Sequence, residues 1–256
     1  MATKIRVNAA SKTFRAKSGG TVEAIRGLTF DVEEGEFLAI VGETGAGKSV
    51  FFDCLMGLKP LSGGRIDVDG QDVSHYAGSR NGRITRIFQE DRLLPWRTAA
   101  ENVALGLEVH GVAKRERLET ARQWLDAVGL SRFANAYPSE LSGGMRQRVN
   151  IARAFALEPE IILMDEAFSA LDEITATKLR SDFLDLARRH RMTYLIITHS
   201  LDEAIYLGSR ILVFGAPAQV VHDMRVDEAT KQDPVAWKVQ RDEILQALAR
   251  QRTGRL

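Results

Sequence analysis

The chain has 256 residues, 45% of them apolar and 27% charged, with a formal net charge of +1. That size suits one large domain or a core with a small subdomain, and it can bury a sizeable interior. The charge balance excludes a whole-chain polyanion-binding signal, although a local basic patch stays open, and the single cysteine, Cys54, excludes an internal disulfide and a multi-cysteine metal site.

Met1 to Asn8 has no apolar block behind a charged start and does not read as a signal peptide. The first strands are short. Leu28, Phe30 and Val32 alternate with polar residues, as in a half-buried strand. Phe37-Leu38-Ala39-Ile40-Val41 is a continuous apolar run, the pattern of a strand covered on both faces. It leads into Gly42-Glu43-Thr44-Gly45-Ala46-Gly47-Lys48-Ser49, and Lys48 to Leu58 reads as a helix. Cys54 sits there among Phe51, Phe52, Leu55 and Met56, so a buried, inert thiol is expected rather than a redox centre. Ile66 and Val68 before Asp69-Gly70 predict a hairpin. Ile84 to Phe88 is a further strand, ending at Gln89.

From about Thr98 to Leu157 the periodicity turns helical. Thr98-Ala99-Ala100-Glu101 has capping-box spacing after Pro95. Leu118, Ala121, Leu125 and Val128 mark one face of a second helix, and Leu141 to Leu157 reads as a third. Strand runs return at Ile161 to Met164, Tyr194 to Thr198 and Ile211 to Phe214, separated by helical patterns, which argues for a parallel sheet. Beyond Gly215, Trp237, Ile244, Leu245 and Leu248 form a helical stripe, either packed on the core or part of a regulatory or partner-binding tail. No apolar stretch approaches the roughly 18 residues that cross a bilayer. A cytosolic chain is expected, with any membrane role reached through a partner.

Two segments carry chemistry by themselves. In the first, glycines let backbone N–H groups turn inward to cradle phosphate oxygens, and the following helix aims its positive end at them. Lys48 would reach the β- and γ-phosphates and the Ser49 hydroxyl would bind Mg²⁺. Glu43 brings a carboxylate close to that phosphate and is expected to point to solvent. In the second, the apolar run Ile161 to Met164 ends in Asp165-Glu166, either the acidic strand end that partners such a loop or a solvated turn. As the former, Asp165 would hold Mg²⁺ through water and Glu166 would polarise the attacking water.

Leu141-Ser142-Gly143-Gly144-Met145-Arg146-Gln147-Arg148 completes a pattern that resembles the ATP-binding-cassette (ABC) ATPases, in that family's motif order and over the chain to about Phe214. The resemblance implies an α/β P-loop NTPase (RecA-like) core with a mainly parallel sheet, an N-terminal antiparallel β subdomain and an inserted helical subdomain. The corresponding boundaries are 1–88 with 158–215 for the core, 89–157 for the helical block and 216–256 for a C-terminal extension. It implies ATP and Mg²⁺ as ligands. Gln89 matches the glutamine that senses the γ-phosphate and Mg²⁺, and His199 the switch histidine, although alone each would read as structural. Phe14 stands where the family stacks a ring on adenine, core packing being the alternative. Ser169-Ala170-Leu171-Asp172 is similar to the loop that crosses the dimer interface. Ser142, Gly143 and Gly144, at an expected helix start whose free N–H groups favour an anion, would face the γ-phosphate of a second copy. Val50 and Ala167 depart from the family's commoner threonine and proline without removing a catalytic group.

Leu93-Leu94-Pro95-Trp96-Arg97-Thr98 is similar to importers of the nitrate, sulfonate and taurine type. That implies a homodimer at the cytoplasmic face of the membrane, driving permease subunits and served indirectly by a solute-binding protein, with no nucleic acid involved. Trp96 would dock the permease or else pack its own subdomain. Two other classes are a soluble cassette ATPase acting on DNA or ribosomes and a P-loop kinase. The first usually carries heptads, zinc modules or a second cassette, and the second leaves the signature segment unexplained.

Overall fold

The computed structural model describes residues 2–15, 19–75 and 83–253. Strand β1 (Thr3–Arg15) pairs antiparallel with β2 (Thr21–Glu33), where Ile25, Leu28, Phe30 and Val32 point inward between exposed Thr29 and Asp31. The inner strand β3 (Phe37–Gly42) has Leu38, Ala39, Ile40 and Val41 all buried, as its apolar run requires. Helix α1 (Lys48–Leu55) follows at once. It stops three residues short of the expected Leu58, because Gly57 turns left-handed (φ 69°) and the amides of Leu58 and Lys59 bond back to the Asp53 carbonyl. Strands β4 (Gly63–Val68) and β5 (Gln71–Asp72) form the predicted hairpin, with Asp69 (φ 50°) and Gly70 (φ 75°) both left-handed as a type I′ turn demands.

Next come β6 (Ile84–Ile87), the short helices α2 (Ala99–Val103) and α3 (Leu105–Val109), α4 (Lys114–Ala127), α5 (Gly143–Phe155), β7 (Ile161–Asp165) and α6 (Glu173–His190). The capping box forms: the Thr98 hydroxyl accepts from the Glu101 amide, and the Glu101 carboxylate accepts from the Thr98 amide. Strands β6 and β7 run parallel. On α4, Ala121, Leu125 and the following Val128 are buried as read, but Leu118 is only half-buried. Trp124 takes the central place instead, its ring 5.2 Å from that of Phe155 and 5.1 Å from that of His190. Its indole covers more apolar area than a leucine.

The chain ends with β8 (Thr193–Ile197), α7 (Leu201–Leu207), β9 (Arg210–Phe214), β10 (Val220–Arg225), α8 (Glu228–Gln232) and α9 (Pro234–Thr253). Strand β3 pairs in parallel with both β8 and β9, while β10 closes antiparallel on β9. The core here includes Phe30, Phe51 and Phe214, whose ring centres lie 5.5 to 6.2 Å apart. Cys54 is buried, and desolvation pushes its thiol up to about 11. Of the C-terminal stripe, Ile244 is fully buried and Trp237 donates through Nε1 to Asp202 of α7, but Leu245 is 45% exposed.

The chain divides into two compact units, 1–79 with 193–256, and 80–192. The N-terminal antiparallel sheet and the parallel pairing of β3 make the fold a mixed α/β one, with the phosphate-loop sequence between β3 and α1. No helix among the described residues is long and apolar enough to cross a membrane.

Candidate functional site

The segment Gly42–Ser49 is built as a tight loop. Gly45 and Gly47 take φ of 80° and 90°, and the Ala46 amide closes a turn on the Glu43 carbonyl. Gly47 is demanded twice over, because a β-carbon there would lie 2.2 Å from the Ala24 carbonyl oxygen. That wall is fixed by residue 218, whose amide donates to the Ala24 carbonyl and whose carbonyl accepts from the Arg26 amide. Thr44 and Gly45 are exposed and Ser49 opens to solvent at the start of α1, with Val50 beside it half-buried. Lys48 is 7% exposed and its ammonium donates to the carbonyls of Gly42 at 2.7 Å and Glu43 at 2.9 Å. Glu43 is half-buried. Phe14 is also half-buried, with the Lys12 ammonium 5.1 Å from its ring centre.

In the second unit, β7 delivers Asp165 and Glu166 at its end. Glu166 has φ 51°, an uncommon conformation for a side-chain-bearing residue, and a turn follows in which Ser169 donates from both its amide and its hydroxyl to the Glu166 carbonyl. Asp165 pairs with Arg86 of β6. Gln89 stands exposed just beyond β6.

Helix α5 holds these pieces in place. Gln147 is 4% exposed and donates to the Ala167 carbonyl at 2.6 Å. Asn150 is 1% exposed and donates to Gln147 and to the Phe88 carbonyl. Arg153 donates to the carbonyls of Asp91 and Arg92, and Arg146 pairs with Asp91 at 2.8 Å. One helix face therefore fixes both flanks of Gln89 and the residue after Glu166. Gln89, Gly143, Ala167 and Leu171 line a single cleft of about 520 Å³. At the other end, the Ser142 hydroxyl caps α5 by accepting from the Met145 amide, and Ser142 and Gly143 are exposed. A β-carbon at Gly144 would lie 2.6 Å from the Thr175 methyl, so one of them would have to shift. Asp172 caps α6, and the Thr175 amide holds its carboxyl below the usual range. His199 stands exposed at the end of β8, and Ser200 caps the helix after it.

A family model described as ABC transporter matches residues 25–169, more than half of the chain. The chain belongs to the ABC transporter family. It is 43% identical to the taurine import ATP-binding protein TauB of Rhizobium johnstonii, over 87% of this chain and 84% of that protein. It is 38% identical to the nitrate import ATP-binding protein NrtD of a Synechocystis strain, over the same shares. Among solved structures, a dimeric ATP-binding cassette in a post-hydrolysis state with ADP and Pi matches with a TM-score of 0.77 at 30% identity, covering 87% of this chain and 99% of that one.

As a member of the family this ABC subunit is an ATPase and ATP is its nucleotide. Its residues also suit Mg²⁺. The Ser49 hydroxyl, the Gln89 amide oxygen and the Asp165 carboxylate are hard oxygen donors. Among the described residues no group of three or more His, Cys, Asp or Glu is arranged to hold a metal ion.

Four residues with structural claims on this ABC site went unread in the sequence: Asn102, Asn150, Arg153 and Arg86. Asn102 is fully buried, accepting from the Leu94 amide at 2.7 Å and donating to the carbonyls of Leu94, Arg97 and Thr98. It fixes the loop that presents Trp96. Asn102→Ala should cost about 2 kcal/mol in urea unfolding, because it strands an amide and several carbonyls. A buried asparagine inside a capped helix is the only sequence signal for it.

Proposed function

We propose that this ATPase is the cytoplasmic-face energising subunit of an importer for a small anion or sulfonate-like solute. It works as a homodimer against membrane permease subunits, with a solute-binding protein delivering cargo to them. In this reading 1–88 and 158–215 form the nucleotide core, 89–157 the helical block that meets the permease, and 216–256 an extension.

Lys48 and the backbone amides of Gly42 to Ser49 and Val50 bind the β- and γ-phosphates, and Phe14 stacks on adenine. Ser49, Gln89 and Asp165 hold Mg²⁺, which neutralises phosphate charge when bound. Glu166 accepts the proton of the water that attacks the γ-phosphorus, while His199 donates a hydrogen bond to the γ-phosphate. Ser142, Gly143 and Gly144 serve the nucleotide of the partner copy, aided by Asp172 from the crossing loop. The solvent-facing start of α5 supports that role, since amides open to solvent can meet an anion on another molecule.

The observation that carries the importer reading is Trp96. It is 70% exposed on a loop that Asn102 holds rigid, so it is preorganised to be buried by something else. Leu105 and Val109, 9 and 13 residues after Trp96, rim with Leu157 a groove of about 370 Å³, Val109 being 58% exposed. An amphipathic permease segment suits that surface. Trp96→Glu should keep the melting temperature of the isolated chain and lower its recovery with the neighbouring permease at least about tenfold, the loss of one aromatic anchor. Equal recovery of Trp96→Glu with the permease, or recovery of the native chain with ribosomes or DNA instead, overturns the reading.

A further inference from the structure

His199 is exposed between two anchored stretches of backbone. On its strand side, the Thr198 amide donates to the Ile40 carbonyl at 3.2 Å, and the Ser200 amide donates to the Thr198 hydroxyl at 3.0 Å. On its other side stands α7, which is only seven residues long. The far end of α7 is tightly packed, since a β-carbon at the following Gly208 would lie 3.2 Å from that of Ala39 on β3. The near end is held differently. Asp202, in the first turn, is exposed, and its Oδ1 accepts from the indole N–H of Trp237 on α9 at 3.0 Å. The Arg241 Nε stands 3.7 Å from the same oxygen, but both side chains are more than half exposed and the pair contributes little.

Helix α9 is a firm support for the Trp237 bond. Ile244 is fully buried, and Gln240 donates to the Arg225 carbonyl at 3.2 Å. Further along, the Gln251 side chain closes on the turn after β9, where a β-carbon at Gly215 would lie 2.8 Å from its Oε1. Trp237, Gln240, Ile244 and Gln251 share one face of α9, as their helical spacing requires. His199, α7, β10 and α9 all belong to one compact unit.

We propose that Trp237 is a positioning residue for His199, pinning the first turn of α7 through Asp202 so that the C-terminal helix governs the chemical step and not nucleotide affinity. The inference rests on the role given above to His199 at the γ-phosphate. So short a helix is marginal by itself, because its first turn fixes several dihedrals for one hydrogen bond. Helix ends fray unless something holds them. Within α7 the Ser200 hydroxyl accepts from the Glu203 amide at 3.2 Å, and the indole adds a charge-assisted bond from outside. When that turn loosens, the backbone of residue 199 moves with it. A displacement of about 1 Å in a group that meets the reacting phosphate costs up to roughly a hundredfold in rate. Loop 42–49 is carried by β3 and α1 instead, so ATP affinity stays as it was.

Trp237→Phe keeps an aromatic ring on α9 and removes the N–H. Phosphate release by the full chain should show kcat lowered about fivefold, with KM for ATP and the melting temperature unchanged. Hydrogen exchange over 199–207 should quicken, while exchange over 42–55 stays native. Asp202→Ala removes the shared acceptor at an exposed position. It should give the same loss, and the two changes together no more than either alone. Should Trp237→Phe melt early, Asp202→Ala decides the matter.

The link to His199 is tested in His199→Ala, whose residual turnover is followed at high protein concentration. There Trp237→Phe should change nothing further, whereas a general weakening of the fold would lower turnover again. A native kcat in the Trp237→Phe and Asp202→Ala chains, a loss carried by KM, unchanged exchange over 199–207, or an equal further loss in His199→Ala overturns the proposal. Low turnover in His199→Ala beside native turnover in Trp237→Phe overturns it alone. Native turnover in His199→Ala overturns the role of His199 as well.

Discussion

Glu166→Gln should bind ATP as tightly as the native chain, hydrolyse it about a thousandfold more slowly, and accumulate as an ATP-bound dimer. The magnitude is that of a lost general base. The substitution keeps the size of the side chain and its left-handed backbone (φ 51°), and the Ser169 bonds go to the main-chain carbonyl, which the change leaves in place. What disappears, on the proposed role of Glu166, is the acceptor for the proton of the attacking water. With the γ-phosphate retained, the open start of α5 on one copy keeps its anion on the other, and the dimer does not part. Size-exclusion chromatography with ATP, set beside phosphate release, checks both halves. Native-like turnover would remove Glu166 from its role. On the proposed role of Ser142 to Gly144 toward the partner copy's nucleotide, turnover of the native chain should also rise more steeply than linearly with protein concentration.

Gly47→Ala should weaken ATP binding about a hundredfold while leaving most of the fold intact. Two costs act together. A residue with a β-carbon is strained at φ 90°, by about 1–3 kcal/mol. In addition, the new methyl would stand 2.2 Å from the Ala24 carbonyl oxygen, on a strand that residue 218 fixes from behind. The loop must move away from that wall, and the amides aimed at phosphate move with it. Isothermal titration with ATP and thermal melting separate the two effects. A melting temperature that collapses along with binding would mean that the strain spreads into β2 rather than being taken up by the loop.

Much of the site was legible before any fold was known. The phosphate loop, the capping box at Thr98, the hairpin at Asp69-Gly70 and the buried strand before Gly42 are local patterns. Each is set by φ preferences, by a side chain reaching an amide three residues on, or by the burial of consecutive residues. Helix ends were less legible. Helix α1 stops at Leu55 because Gly57 turns left-handed, and α4 buries Trp124 in the place given to Leu118. Leu245 faces solvent although its spacing suited the stripe, since what α9 packs against decides which face is buried.

The sequence by itself determined that this chain carries the parts of an ABC ATPase, in order and on the right kinds of element. Those parts are specified by neighbours within a few residues, where propensity and spacing act directly. Tertiary structure alone decided how the parts are held. Gln147 reaches a carbonyl 20 residues away, Asn150 one 62 residues away, and Arg86 the carboxylate of Asp165 across 79 residues. Hydrogen bonds over such separations depend on which strands and helices come to lie side by side, and no local pattern encodes a single partner.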